Sequence, residues 1–345
     1  MRVAHIINSN MYSGLENVVC TIMQELQKEI DMIYVTKKGP IIEILKEKKL
    51  KYYIIEKMTP KEIKKFIKEW QPDLLHAHDY TASLICVLVK GKRPVIDHLH
   101  HNGPWLKKIN PKSLSFLYAG IRANKILTVS NSIEKEYCLS KMIAKKMQVI
   151  GNPVSYNKIN EKVNKKKTEK KYDICCIGRL TEAKNPRRFL SVIKEVKEKM
   201  PTIKVIWIGS GEMYEEVLMY RNKLKLEENV EFLGFKENPY PDLAASKLFL
   251  LTSSWEGYGL VAFEALSLGL PCIVSNVGGL PNIVDKNCGK LCNTNEEFKT
   301  KIIELLTDEN ILLKYSKKAI EKAKQLDNSK DYLTKMNNLY KELLK

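Results

Sequence analysis

Asp173-Ile174-Cys175-Cys176-Ile177-Gly178-Arg179-Leu180-Thr181-Glu182-Ala183-Lys184-Asn185-Pro186 is the stretch on which the fold turns. An apolar run of strand length comes first, then a glycine that permits a tight turn, then a polar loop. A helical pattern follows over Asn185–Met200, with Pro186 near its start and Phe189, Leu190, Val192, Ile193 and Val196 on one face. Strand, loop and amphipathic helix form half of a parallel crossover unit, and the pattern recurs. Downstream, 205–208, 230–233, 248–251 and 272–274 read as strands, and only helical periodicity follows Glu296. Upstream, strands are expected at 2–8, 32–36, 52–55, 74–77, 95–97, 126–129 and 148–150. Helical patterns at 15–28, 60–70 and 131–139 lie among them. This alternation predicts an α/β protein with doubly wound parallel sheets. Asn152-Pro153 signals a turn, and 157–171 is mostly Lys, Asn and Glu, so the alternation breaks there. Two Rossmann-like domains are therefore expected, 1–155 and 172–328, joined by a basic linker over 156–171.

The chain has 345 residues, 44% hydrophobic and 28% charged. Those values suit a packed two-domain protein and exclude a disordered chain. The eight cysteines form no C-x-x-C pair and sit mostly in apolar runs. Buried thiols in a reducing compartment are expected, not a disulfide scaffold. Cys288 and Cys292 lack a second Cys/His pair at ligand spacing, which sets a zinc site aside. No run approaches the ~18 apolar residues of a membrane span, and the first residues lack a signal-peptide core. The expectation is a cytoplasmic protein, peripheral to the inner face of the plasma membrane if it meets a membrane at all. Of the net charge of +18, residues 1–151 carry +11 and 152–171 carry +5. An electrostatic partner would be negative and would meet the first half: nucleic acid, anionic lipid or an anionic substrate. A lysine-coated surface with no partner gives the same count.

Ligands of doubly wound sheets sit at the carboxyl ends of the strands. After the strand at 173–177, Gly178 allows the turn, and Arg179 and Lys184 are two cations on one loop that opens a helix. Such a loop suits a diphosphate, held by the forked guanidinium, the ammonium and the helix N-terminus. After the strand at 248–251 comes Trp255-Glu256-Gly257-Tyr258-Gly259-Leu260, and a helix begins near Leu260. Its first N–H groups form an anion site. Glu264, inside that helix, is placed to accept hydrogen bonds from a ribose diol; otherwise a carboxylate there needs a structural partner.

Gly178-Arg179, Lys184-Asn185, the Glu256/Glu264 pair and Gly278-Gly279-Leu280-Pro281 together resemble glycosyltransferase family 4. So do Tyr12-Ser13-Gly14-Leu15-Glu16-Asn17, Ile208-Gly209-Ser210-Gly211-Glu212 and Phe232-Leu233-Gly234-Phe235. The likeness runs over essentially the whole chain. It implies a GT-B fold of two Rossmann-like domains facing a central cleft, with a helix at 329–345 crossing back to the first domain. It implies a retaining hexosyltransferase that moves a sugar from a UDP- or GDP-linked donor to a lipid-linked or polysaccharide acceptor in surface glycan assembly. By position, Arg179 and Lys184 would bind the donor diphosphate and Glu264 the ribose. Glu256 would face the donor sugar, and the amides of Gly257, Gly259 and Leu260 would line the donor pocket, the last two at the distal phosphate. The backbone near Phe235 would lie along the base, and Gly209 would line the donor site. Gly14 would let the first loop approach phosphate and acceptor, although Ser13 stands where the family commonly has a first glycine. His100, or its neighbour His101, would contact the transferred sugar.

The histidines fall in two clusters, His76-Ala77-His78-Asp79 and His98-Leu99-His100-His101. H-x-H at a strand end puts both rings on one face, as a metal site would. No cluster of carboxylates accompanies them and the chain has no Asp-x-Asp, so a mechanism without metal or other cofactor is expected. The stretch 104–118 mixes Trp105, Phe116 and Tyr118 with Lys107, Lys108 and Lys112, which suits anionic lipid; a core helix with a lysine rim reads the same. The rival functions are another GT-B enzyme, such as a nucleotide-sugar epimerase or a soluble-acceptor synthase, and a nucleic-acid-binding protein. The last has charge in its favour but no helix-turn-helix, zinc finger or aromatic RNP-type motif, so no nucleic-acid partner is expected.

Overall fold

The computed structural model describes residues 1–163, 169 and 171–345. The chain divides into two compact units, Met1–Pro153 with Asn328–Lys345, and Val154–Asp327.

The first unit carries β1 (Arg2–Ile6), α1 (Gly14–Leu26), β2 (Asp31–Lys37), α2 (Ile41–Glu47), β3 (Tyr52–Ile55), α3 (Pro60–Trp70) and β4 (Leu74–Ala77). Then follow α4 (Tyr80–Val89), β5 (Val95–Leu99), α5 (Pro111–Arg122), β6 (Lys125–Thr128), α6 (Asn131–Glu136) and β7 (Met147–Val149). Its seven strands pair in parallel in the order β3-β2-β1-β4-β5-β6-β7. The strand order reverses between β1 and β4, which opens a crevice at their carboxyl ends.

The second unit carries α7 (Tyr156–Glu161), β8 (Tyr172–Ile177), α8 (Pro186–Lys197), β9 (Val205–Ile208), α9 (Tyr214–Lys223), β10 (Val230–Phe232), α10 (Tyr240–Ala244) and β11 (Ser246–Leu251). It continues with α11 (Leu260–Ser267), β12 (Cys272–Ser275), α12 (Leu280–Ile283), β13 (Gly289–Cys292), α13 (Asn295–Thr307) and α14 (Glu309–Leu326). Its six parallel strands run β10-β9-β8-β11-β12-β13, reversing between β8 and β11. The central strands are buried on both faces, which is why they read as unbroken apolar runs. α15 (Ser329–Leu343) belongs to the first unit, where Tyr332, Met336 and Tyr340 are buried.

Two local expectations change. β13 was absent from the sequence reading because Gly289-Lys290-Leu291-Cys292 is short and not uniformly apolar. It forms because the sheet edge at β12 supplies a full ladder of partners. The linker expected over 156–171 is helical at its start: α7 is capped by Ser155 and buries Ile159 in the core of the second unit. Residues 164–168 and 170 of that linker lie outside the described residues. As expected for buried thiols, all eight cysteines are free and every one but Cys138 is buried.

Candidate active site

The loop after β8 and the loop after β11 meet at the switch point of the second sheet. The Ser254 N–H donates to the Ala183 carbonyl at 2.8 Å, and the Thr252 hydroxyl to the Asn185 carbonyl at 3.1 Å. Asn185 caps α8 from a left-handed backbone (φ 49°), its side chain accepting from Arg188 N–H, and Pro186 takes the first turn. Lys184 is thereby held on the loop, and its ammonium forms an ion pair with Glu256. Both side chains are largely buried, and the Ser253 hydroxyl donates to the same Glu256 carboxylate at 3.3 Å. Arg179 pairs with Glu212, from the loop after β9, at 3.3 Å. That pair is exposed, so it restrains the guanidinium weakly.

α11 begins at Gly259, whose φ of 102° suits glycine, and no side chain caps the helix. Its first N–H groups are therefore available to an anion. The Gly278-Gly279-Leu280-Pro281 motif supports this loop from behind. Gly278 has φ 57°, and a Cβ there would lie 1.6 Å from the Glu256 carbonyl oxygen. Gly279 N–H donates to that oxygen at 3.2 Å. Only paired glycines let the two backbones approach so closely.

Glu264 lies one turn inside α11, and Tyr240 donates its phenol hydrogen to Oε1 at 3.3 Å. Burial pushes the carboxyl up to about 7, against the opposing pull of the Tyr240 hydrogen bond and of Lys162 and Lys184. Tyr240 and Lys162 were not foreseen, and Lys162 falls within the expected linker. Neither carries a sequence signal, since what matters is their approach to a carboxylate far along the chain. Gly178 and Gly209 lie at the ends of β8 and β9, and Gly209 N–H donates to the Gly234 carbonyl. The Phe235 N–H is taken by the Ser210 hydroxyl at 3.1 Å, so its amide is engaged, while its ring stands 61% exposed.

In the first unit, Ser13 caps α1 in extended conformation, and its hydroxyl donates to the buried Glu16 at 2.5 Å. Gly14 starts the helix without a left-handed backbone. Asp79 caps α4 and also accepts the Asn8 N–H at 2.6 Å, tying the loop after β1 to the loop after β4. His100, just beyond β5, hydrogen-bonds His78 at 3.1 Å, while His101 is exposed. His5 and Tyr340 join this group. His5 Nδ1 lies 2.9 Å from His78 Nε2, and His76 Nδ1 lies 2.8 Å from the Tyr340 hydroxyl. Neither was foreseen, because strand register and a helix 264 residues away bring them there. Burial holds His76, His78, His98 and His100 well below the usual imidazole range, and His5 at about 3.

Two doubly wound parallel sheets, together with the family matches that follow, define the class: this is a GT-B glycosyltransferase. The family description "Glycosyl transferases group 1" matches residues 157–326, and "Glycosyltransferase Family 4" matches residues 12–158. The chain belongs to glycosyltransferase family 4. An uncharacterized glycosyltransferase of Methanocaldococcus jannaschii is 29% identical over 72% of this chain and 64% of its own length. The Escherichia coli UDP-Gal:alpha-D-GlcNAc-diphosphoundecaprenol alpha-1,3-galactosyltransferase is 25% identical over 100% of this chain and 97% of its own. Among solved structures, Anabaena HepE in complex with UDP-glucose superposes with a TM-score of 0.88 and 17% identity. That match covers 99% of this chain and 100% of the other, a likeness of fold.

Proposed function

We propose that the chain is a retaining glycosyltransferase that takes a sugar from a UDP- or GDP-linked donor. Its acceptor would be a lipid-linked or polysaccharide glycan in surface glycan assembly. The observation that carries this reading is the convergence at the β8/β11 switch point of Lys184 with Glu256, Arg179, the uncapped start of α11 and Glu264. A nucleoside diphosphate needs all of these in one place. Arg179, Lys184 and the amides of Gly259 and Leu260 would meet the diphosphate, with Gly257 lining the donor pocket. Glu264, once ionised, would accept from the ribose diol, and Phe235 would lie against the base. As the bond from anomeric carbon to phosphate oxygen breaks, negative charge grows on the leaving diphosphate. Groups aimed at that charge lower the barrier without a metal ion. Glu256, which shares Lys184, would face the donor sugar, and His100 and Gly14 would supply the first unit's share. Two relatives favour a lipid-linked acceptor: the E. coli galactosyltransferase above, and a Campylobacter jejuni N-acetylgalactosaminyltransferase whose name gives a diphospho-undecaprenol acceptor. A panel of UDP- and GDP-sugars, read by thermal shift and donor hydrolysis, tests the reading. Stabilisation by neither nucleotide removes it.

The same reading includes a cytoplasmic enzyme resting on an anionic membrane. Among the described residues no helix is long and apolar enough to cross a membrane. The expected anchors are corrected. Phe116 is buried and is not available to lipid, and Trp105 is half-buried, packed between Tyr80 and Phe116. Leu114, Tyr118 and Ile121, spaced along one face of α5, are exposed together with Ile109. Lys107, Lys108, Lys112 and Arg122 flank them. An apolar face rimmed by cations suits anionic headgroups. Vesicles of phosphatidylglycerol should retain the protein, less so at high salt or after Lys107, Lys108 and Lys112 are changed to Glu. Equal retention by neutral vesicles would remove the electrostatic role.

A further inference from the structure

Five of the six histidines lie on one face of the first sheet, where register aligns His5 with His76 and brings His98 beside His78. Two triplets, His5-His76-His78 and His78-His98-His100, bring ring nitrogens within 4.8 Å of one another. Their geometry is poor for a metal. His76 and His78 stack at 4.0 Å with 28° between planes, and His98 and His100 sit at 4.0 Å and 33°. Imidazole lone pairs lie in the ring plane, so rings stacked this way do not aim at one ion ~2.0–2.1 Å from each.

The contacts instead form a line, from His5 Nδ1 to His78 Nε2 at 2.9 Å and from His78 Nδ1 to His100 Nε2 at 3.1 Å. Each neutral ring has one N–H and one bare nitrogen, so the line can be polarised in only two ways. If His100 donates inward, His78 donates to His5, and the remaining hydrogen of His5 sits on Nε2. That atom is buried with no partner among the described residues. If His5 donates outward, only a lone pair is left at that buried atom. An orphaned buried N–H is the rarer and costlier arrangement. We infer that His5 and His78 are positioning residues that fix His100 as its Nδ1–H tautomer, a hydrogen-bond donor and not a base. No partner for His100 Nδ1 is found among the described residues, so this hydrogen is left for a ligand oxygen. Its natural acceptor, resting on the glycosyltransferase reading, is a hydroxyl of the donor sugar.

The test is long-range ¹H–¹⁵N correlation NMR on the ¹⁵N-histidine-labelled full chain without ligand, with His100 assigned by an H100N variant. It does not depend on the substrate. Protonated Nδ1 and bare Nε2 on His100 are expected; a proton on Nε2, or exchange between the two nitrogens, overturns the assignment. Two variants then test its use. Gln at position 78 can still donate an amide hydrogen to His100 Nε2, and Leu cannot. H78Q should keep the tautomer and stay within about threefold of wild-type kcat. H78L should lose kcat by tenfold or more with nucleotide affinity unchanged. Equal losses in both, or full activity in H78L, would remove the positioning role. Added Co²⁺ giving ligand-field bands that H78Q abolishes would replace the relay with a metal centre.

Discussion

At the β8/β11 switch point the chemistry is ionic: Lys184 against Glu256, Arg179 against Glu212, and Glu264 shifted by burial but near cations. At the β1/β4 switch point of the other sheet it is made of neutral rings, His5, His76 and His78, with His98 of β5 and His100 just after it beside them. The same topology thus carries two materials. Lys184, Glu256, Arg179 and Glu212 can stand as ions at the first point because each has a counter-charge within contact, whereas buried Glu264 has only the Tyr240 hydroxyl and is pushed toward its neutral form. Imidazoles stand at the second because full burial makes the neutral form the cheaper one. The lesson is that a switch point supplies a place, and burial decides whether charge or hydrogen-bond polarity is used there.

The largest expected effect tests the ionic side. Lys184→Ala and Arg179→Ala should each lower kcat on the order of 10²–10³-fold, as loss of one donor to a growing anion does. Melting temperature should change little for Arg179→Ala, whose pair is exposed, and should fall for Lys184→Ala, which leaves the largely buried Glu256 unpaired. EDTA should leave the wild-type rate unchanged; loss of activity restored by Mn²⁺ would end the metal-free mechanism. Next, Glu264→Gln should weaken UDP or GDP binding by ~1.5–3 kcal/mol, roughly 10- to 150-fold, measured by calorimetry. Unchanged affinity would take the ribose away from Glu264.

A pH series sharpens the contrast further. With its carboxyl raised to about 7 in the free protein, Glu264 is mostly protonated at pH 6 and ionised at pH 8. If the bound nucleotide needs the carboxylate, affinity should rise about tenfold from pH 6 to 8. Glu264→Gln should flatten that part of the profile. For folding the sign is opposite: the native state holds the extra proton, so this group's stabilisation is full at low pH and is lost as pH rises from about 4.5 to 7. The smallest effect belongs to the neutral side. Tyr340→Phe removes the hydroxyl beside His76 Nδ1 and should cost about 1–3 kcal/mol in urea unfolding, with nucleotide affinity intact. A fall in nucleotide affinity would show that the two regions are not independent.

Much of the second unit was legible because its chemistry is local. Gly178, Arg179 and Lys184 share one loop, and Glu256, Gly259 and Glu264 fall within nine residues, so apolar periodicity and glycines place them with respect to strand ends. The fold followed for the same reason: buried parallel strands write themselves as short apolar runs between helical patterns. Tertiary structure alone decided the rest. The pairing of Lys184 with Glu256 depends on β8 and β11 being neighbours, and the reason for Gly278 appears only when its backbone is seen against Glu256. His5 joins His78 through strand register, and Tyr340 reaches His76 from the C-terminal helix. In sequence Trp105 reads equally as a lipid anchor or as part of a core helix, and only its packing between Tyr80 and Phe116 separates the two, because which face of a segment is buried is set by its neighbours. Periodicity records how often a residue faces the core; it holds no record of which distant residue it meets there.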